Sequence, residues 1–560
     1  MSSFPWLSLL VFLPALGALV VACLPAEEHG QQRAVGTFAM LLTLAAAAAV
    51  AAQFDPSAGA PEFQLAESHA WVPVLGIGYH LGIDGIALVL LLLTAALGPL
   101  VMISAFRAVT SRVKEFVISL LLLQTAMLGA FCALDLFLFY VFWEAMLVPM
   151  YLLIGIWGSE KRIYATVKFF IYTMAGSLLM LVAILYLYSA SSVAGSRTFD
   201  YPSLLAVAPT LPHEVQRWLF LAFAVSFAIK VPLVPLHTWL PDAHTEAPAA
   251  GSMVLAGVLL KMGGFGFLRY AFPLFPDGAM DFRWALAAIS VVGIVYGALM
   301  CLAQSDMKRL VAYSSVSHLG FVMLGITALT AEGLSGGVYQ MLNHGVSTGA
   351  LFCLVGILYE RRHTRALGDY GGIARVVPVL AAFWLLVTLA SIGLPGTNGF
   401  IGEFLILAGA WNSKLGGAAW LSAAGALGVI LGAVYMLWMY QRVFFGKVEK
   451  PANQGIADLS GREWAVLAPL AALIVVMGVH PQPFLDCIQP AAERLVSRMQ
   501  PHHEDSVGTP PPSLIAMHPA VRPHPGAPPP APGPMPGRNL PVLSPELLRR
   551  LQQMRQQPRR

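Results

Sequence analysis

A chain of 560 residues that is 57% apolar and 11% charged lies far below the roughly 25% charged content of a soluble average, and it reads as a polytopic membrane protein. Its net charge of +4 is small, and the Lys and Arg sit in short connections, where they act as topology signals rather than as a surface for nucleic acid. The five cysteines, Cys23, Cys132, Cys301, Cys353 and Cys487, share no Cys-x-x-Cys spacing, which argues against a zinc or iron–sulfur centre.

In chain order, apolar stretches of spanning length, ~20 residues each, fall near 4–24, 34–53, 82–106, 115–133, 136–157, 164–189 and 217–240. Further stretches follow near 249–270, 283–303, 310–330, 334–358, 377–411, 416–445 and 463–480. No Lys or Arg precedes Arg33, so the first run reads as a retained helix rather than a cleaved signal. The expected fold is therefore an all-α polytopic membrane protein with about fourteen transmembrane helices. The run 377–411 would extend roughly 50 Å as one helix across a ~30 Å core, so it must tilt or break. Gly393-Leu394-Pro395-Gly396 marks the place.

Spans 4 to 8 (residues 111–275) and 9 to 13 (276–450) form two consecutive sets of five. An odd-numbered unit repeated in tandem enters the membrane from opposite faces, giving two inverted repeats. In each the fourth span is broken, first at Pro232 and Pro235, then at Pro395. Spans 1 to 3 occupy residues 1–110, span 14 and its exit 451–500, and a proline-rich tail 501–560, with a short amphipathic helix near Ser544 to Gln553. Connections after odd-numbered spans hold most of the basic residues, among them Lys161, Arg162, Lys308, Arg309, Arg361 and Arg362. The positive-inside rule makes them cytoplasmic and puts both termini on the opposite side.

Four charges lie at membrane depth: Glu144 in span 5, Lys230 at the first break, Lys261 in span 8 and Glu403 after the second break. Even on the lenient insertion scale such a group costs ~2.5–3.5 kcal/mol at a helix centre, so it persists chiefly where it meets a partner or a wet cavity. Each could instead be neutralised, satisfied by a neighbouring helix or, for Lys261, snorkelling; central depth argues against those alternatives. His237, His318 and His344 also recur at depth. Singly, a buried histidine is more often a hydrogen-bonded core residue, but bracketed by two lysines and two carboxylates the three fit a proton relay, since imidazole accepts at one nitrogen while donating from the other. The His237/His244 pair is rejected as a metal site: Pro241 is expected to interrupt the helix between them and no His-Glu-x-x-His pattern is present.

The run Trp239-Leu240-Pro241-Asp242-Ala243-His244-Thr245-Glu246-Ala247-Pro248, with Ala256-Gly257-Val258-Leu259-Leu260-Lys261, closely resembles the antiporter-like membrane subunits of respiratory complex I. Phe142-Trp143-Glu144, Ser305-Asp306-Met307-Lys308-Arg309-Leu310 and Leu394-Pro395-Gly396-Thr397-Asn398-Gly399 look like further signatures, and the likeness extends over roughly residues 80 to 450. The resemblance implies a proton-translocating subunit of NADH:quinone oxidoreductase, with Glu144 paired to Lys230, and with Lys261, His318 and His344 leading to Glu403. The carboxylate at Glu403 singles out one branch, because the sibling chains L and N usually carry lysine there. Those siblings and the lipid bilayer are the expected partners. No cofactor is expected in this chain; flavin mononucleotide, iron–sulfur clusters and quinone belong to partner subunits, and the expected location is a bacterial inner membrane. A subunit of a multi-subunit sodium/proton antiporter, or of an energy-converting hydrogenase, shares the same helix plan and stays open at this point.

Overall fold

A computed structural model describes residues 4–191 and 197–499. The proline-rich tail and the helix expected near Ser544 to Gln553 lie outside the described residues. The helices of eight or more residues run in chain order as α1 (Trp6–Cys23), α2 (His29–Gln53), α3 (Gly85–Ala108), α4 (Val113–Cys132), α5 (Leu136–Trp157) and α6 (Arg162–Ala190). The first break separates α7 (His213–Lys230) from α8 (Trp239–Glu246). Next come α9 (Ala249–Leu274), α10 (Pro276–Leu302), α11 (Met307–Ala328) and α12 (Ala331–Arg362). The second break separates α13 (Pro378–Ser391) from α14 (Asn398–Trp411), and α15 (Ala418–Phe444), α16 (Gly461–Val479) and α17 (Gln482–Met499) complete the described chain. Among the described residues, 12 helices are long and apolar enough to cross a membrane; the two stretches expected to break are each built from two shorter helices.

Polar residues in the connections start these helices. Asp84, Asp135, Asp306 and Thr330 each accept backbone N–H groups of the first turn of α3, α5, α11 and α12, satisfying donors a helix N-terminus leaves free. Arg283 works at an opposite end. Its guanidinium, carried by α10, donates to the Thr327 and Ala328 carbonyls that close α11, at 2.7 and 2.5 Å.

The layering follows from burial. α9 and α11 are buried along their whole spanning windows and α12 along 94%, whereas α1, α2, α6, α15 and α16 bury 39% or less. A helix screened from lipid on every side can carry polar groups that a lipid-facing one cannot. Those three inner helices carry Lys261, His318 and His344.

Two elements depart from the all-α expectation. Residues Gln64–Val72 (β1) and Ile77–Ile83 (β2) form an antiparallel hairpin with Ser68 opposite His80. His80 Nδ1 ties it to Asp200 at 2.7 Å, and Glu67 accepts the Leu7 N–H at the start of α1. α17 is strongly one-sided: Leu485, Ile488, Ala492, Leu495 and Met499 are buried, at spacings of three and four. Arg498 pairs with Glu62 at 2.9 Å and Arg494 donates to the Ala60 carbonyl. Chain read only as an exit from span 14 is thus an amphipathic helix packed on α3 and α12 and tied to the connection between α2 and β1.

Candidate functional site

Pro232 has no N–H for the Ala228 carbonyl, so α7 stops at Lys230. Leu233 N–H bonds the Ala228 carbonyl instead, and the indole N–H of Trp239 takes that of Ile229, at 2.9 Å each. The broken backbone is therefore satisfied by protein, as membrane depth requires. α8 then begins beyond His237, with Pro241 in its first turn, where a missing N–H costs little. His237 thus lies in the interruption, residues 231–238, and His244 in α8, which Pro241 does not interrupt.

Lys230, buried at the last position of α7, places Nζ 4.3 Å from the centroid of the Trp143 ring. The ring's negative face holds the cation, worth ~2 kcal/mol or more when desolvated, and the C-terminal end of a helix dipole adds to that hold. The expected direct Glu144–Lys230 pair is not formed. Glu144 Oε1 and Lys230 Nζ are both buried without a hydrogen-bonding partner, and the carboxylate acts on the lysine through its field, with Trp143 occupying the near position.

α9 contains two π turns, Leu255–Leu259 and Phe267–Ala271. Such wide turns cluster at functional positions. The first one lets the Lys261 ammonium donate to the Ala256 carbonyl within its own helix. Lys261 Nζ also lies 2.6 Å from His344 Nδ1 on α12; with the ammonium donating, Nδ1 accepts and the histidine hydrogen sits on Nε2. The His344 and His318 rings are 5.9 Å apart, edge to face, and His318 Nδ1 on α11 stands 3.3 Å from Glu403 Oε1 on α14.

Glu403 lies in the second turn of α14. Its carboxylate accepts from Gln340 Nε2 at 3.1 Å, and Asn343 Nδ2 donates to Gln340 Oε1 at 2.9 Å. The turn of the second break passes against it: Gly393 has φ +72°, and a Cβ there would come within 2.8 Å of Glu403 Oε2, so only glycine fits both the conformation and the space. A cavity of about 10 Å³, the size of a single water site, lies between His318, Gln340, Asn343, His344, Ser347 and Gly399.

The buried groups thus fall into two clusters. Lys261, His344, His318 and Glu403 follow one another, with a ring-to-ring step and no hydrogen bond between the two histidines, and Glu144, Trp143 and Lys230 form the other. The two come close where Gly263 of α9 packs on Val231, next to Lys230; a Cβ at Gly263 would lie 2.5 Å from Val231. His237 stands to the side, its ring edge-on to Tyr296 at 5.2 Å, near the Lys168–Asp242 ion pair of 2.7 Å. Trp143, Gln340, Asn343 and the Lys168–Asp242 pair were not singled out from sequence. Asp242 had a signal in its motif, whereas Gln340 and Asn343 carry no charge that would make them conspicuous. Among the described residues no three His, Cys, Asp or Glu side chains cluster as a metal site.

Residues 133–432 match the family described as NADH:quinone oxidoreductase/Mrp antiporter, TM. The NADH-quinone oxidoreductase subunit M of Rhodobacter capsulatus is 45% identical over 512 residues, covering 89% of this chain and 97% of that one. The chain belongs to the NADH-quinone oxidoreductase subunit M family. Subunit M of Mycobacterium tuberculosis strain H37Rv is 41% identical, over 94% of this chain and 100% of its own. A chain of the respiratory complex I from Thermus thermophilus with bound NADH superposes with a TM-score of 0.79 at 36% identity, covering 88% of this chain and all of that one. The family decides between the readings left open by the shared helix plan, in favour of a membrane subunit of complex I.

Proposed function

We propose that Glu144, Lys230, Lys261, His344, His318 and Glu403 are the proton path of this complex I subunit, with His237 serving the first cluster from its side. The chain itself is a proton-translocating, antiporter-like membrane subunit of NADH:quinone oxidoreductase, and other complex I subunits are its partners. In our reading the neighbours are the L- and N-type chains, while flavin mononucleotide, iron–sulfur clusters and quinone reside in other subunits. The observation that carries the path is the succession of buried groups from Lys261 through His344 and His318 to Glu403, the first three on helices that are 94% or more buried along their spanning windows.

The chemistry runs as follows. Glu144 and the Trp143 ring hold Lys230 protonated. Weakening the Glu144 field leaves a desolvated ammonium against an aromatic ring, and the proton moves on. Lys261 takes it up and delivers it to His344 Nδ1; the imidazole gives up its Nε2 hydrogen toward His318, and Glu403 receives it. One charge moved against ~150 mV needs roughly 3.5 kcal/mol, at ~2.3 per 100 mV, comparable with switching one buried ion pair. Glu144→Gln keeps shape and loses charge, so pumping by inverted vesicles is expected to fall roughly tenfold while Glu144→Asp retains most of it. Full pumping by an assembled Glu144→Gln complex would remove the switch.

Residues 111–275 and 276–450 are read as two inverted repeats, since each holds one helix broken in two at a proline-bearing turn. The arginine-rich connections face the cytoplasm in a bacterial inner membrane, and both termini lie outside it. Alkaline phosphatase fused after residue 500 is expected to be active, and one fused within the loop 363–377 inactive. The opposite pattern would invert the path.

A further inference from the structure

α8 is only 8 residues long, so the carbonyls left free at its C-terminal end are a large share of its backbone, and each of them has a donor. The Ala243 carbonyl accepts from the Ala247 N–H at 2.9 Å, that of His244 from Ser252 Oγ of α9 at 3.1 Å, and that of Glu246 from the Ser159 N–H, between α5 and α6, at 2.8 Å. The Thr245 and Ala247 carbonyls take cations instead. Lys308 Nζ donates to Ala247 and, at 3.4 Å, to Thr245, and Arg365 Nη1 donates to Thr245 at 2.7 Å. Both charges stand at the negative end of the α8 dipole, where a cation is favoured. Lys308 is buried in the first turn of α11, and among the described residues no carboxylate lies within ion-pair distance of it. A buried ammonium is costly unless it is hydrogen-bonded, and both side-chain bonds of Lys308 go to α8.

Lys308 and Arg365 belong to one unit. The Met307 N–H donates to the Arg365 carbonyl at 2.9 Å and the Leu367 N–H to the Ser305 carbonyl at 2.8 Å. Asp306 caps α11 and pairs with Arg365 at 3.2 Å. The two cations therefore move with the start of α11 and the chain just past α12, the helices that carry His318 and His344. The opposite end of α8 holds the end of α7: the indole N–H of Trp239, at the first position of α8, takes the carbonyl of Ile229, next to Lys230. Between those ends lie roughly 12 Å of helix, at ~1.5 Å per residue, braced from α6 by the Lys168–Asp242 pair.

We propose that Lys308 is a positioning residue of the proton path: with Arg365 it fixes the C-terminal end of α8 to α11 and α12, and α8 passes that hold through Trp239 to the end of α7, keeping Lys230 in register with the Trp143 ring. Two other roles are open to a buried lysine at this place. A proton carrier must lose its proton in each cycle, and a general support of the fold would act on the whole bundle. A clamp needs only a permanent cation whose donors are aimed at α8. The clamp rests on the proton path proposed above, since it acts on Lys230, but the hold on α8 can be measured apart from pumping.

The test uses the assembled complex in inverted vesicles, with assembly checked by native gel electrophoresis. Lys308→Met removes the charge and the donors at nearly constant length. It is expected to slow pumping roughly three- to tenfold and to speed amide hydrogen exchange roughly tenfold at 239–247 and at 227–231, with α1 and α2 unchanged. Lys308→Arg should restore both, because a guanidinium keeps charge and donors but does not deprotonate. Slow pumping by Lys308→Arg with exchange restored would make Lys308 a carrier and overturns the clamp. Normal pumping by Lys308→Met, unchanged exchange at 239–247, or exchange raised equally in α1 and α2 also overturns it. Should Lys308→Met not assemble, Arg365→Gln removes the second donor to Thr245, and unchanged exchange at 239–247 in that variant overturns the clamp. Lys230→Arg separates the two readings: if it pumps normally the path through Lys230 fails, whereas normal pumping confined to Lys308→Met defeats the clamp alone.

Discussion

Replacing Lys230 by alanine is expected to leave an assembled complex whose proton pumping and coupled quinone reduction fall roughly tenfold or more, within the ~10²–10⁴-fold contribution of a positioned proton-transfer group. The reason is local. Nothing else at the end of α7 can hold a proton against the Trp143 ring, and backbone carbonyls there are already occupied by Leu233 and Trp239. Lys230→Arg is the sharper variant: a guanidinium keeps the charge and the ring contact but does not deprotonate in proteins. It should therefore be as inactive as alanine, with assembly checked by NADH oxidation with ferricyanide. Normal pumping by Lys230→Arg would make Lys230 a fixed counter-charge rather than a carrier.

Glu403→Gln is expected to have an effect of similar size, with Glu403→Asp retaining partial activity, because aspartate still titrates and glutamine does not. A glutamine can hydrogen-bond Gln340 about as well as the native carboxylate does. A purely structural Glu403 would consequently tolerate Gln better than Asp, whose shorter side chain withdraws from Gln340 and from the Gly393 turn. Full pumping with Gln and loss with Asp would take Glu403 out of the path.

The four deep charges were legible because burying a charge in a membrane is costly enough to survive any detail of packing. The breaks at Pro232, Pro235 and Pro395 were legible for a similar reason: a missing N–H cannot be hidden. What bridges those charges was not. The Trp143 ring lies 4.3 Å from Lys230 Nζ, yet an aromatic beside a carboxylate in a membrane helix is ordinary, and only its packing on Phe227 of α7 places the ring there. Gln340 and Asn343 become significant only once Gly402 lets α14 approach α12, where a Cβ would lie 2.5 Å from Gln340 Oε1. The hairpin at 64–83 and the amphipathic helix α17 escaped because a search for continuous apolar length does not see two-residue or one-sided periodicity.

The two broken helices offer opposite ends to the proposed path. Lys230 closes a helix, where the peptide dipole is negative, and Glu403 sits in the opening turns of one, where it is positive. Counted over these two groups, moving a proton from the first to the second turns a cation and an anion into two neutral side chains, and the low-dielectric interior favours that state. Recharging them singly would leave one unbalanced ion inside, at a cost of several kcal/mol. On the proposed path, entry at one end and exit at the other would be tied into a single event, and a stray proton arriving from either side alone would meet an energy barrier instead of a leak.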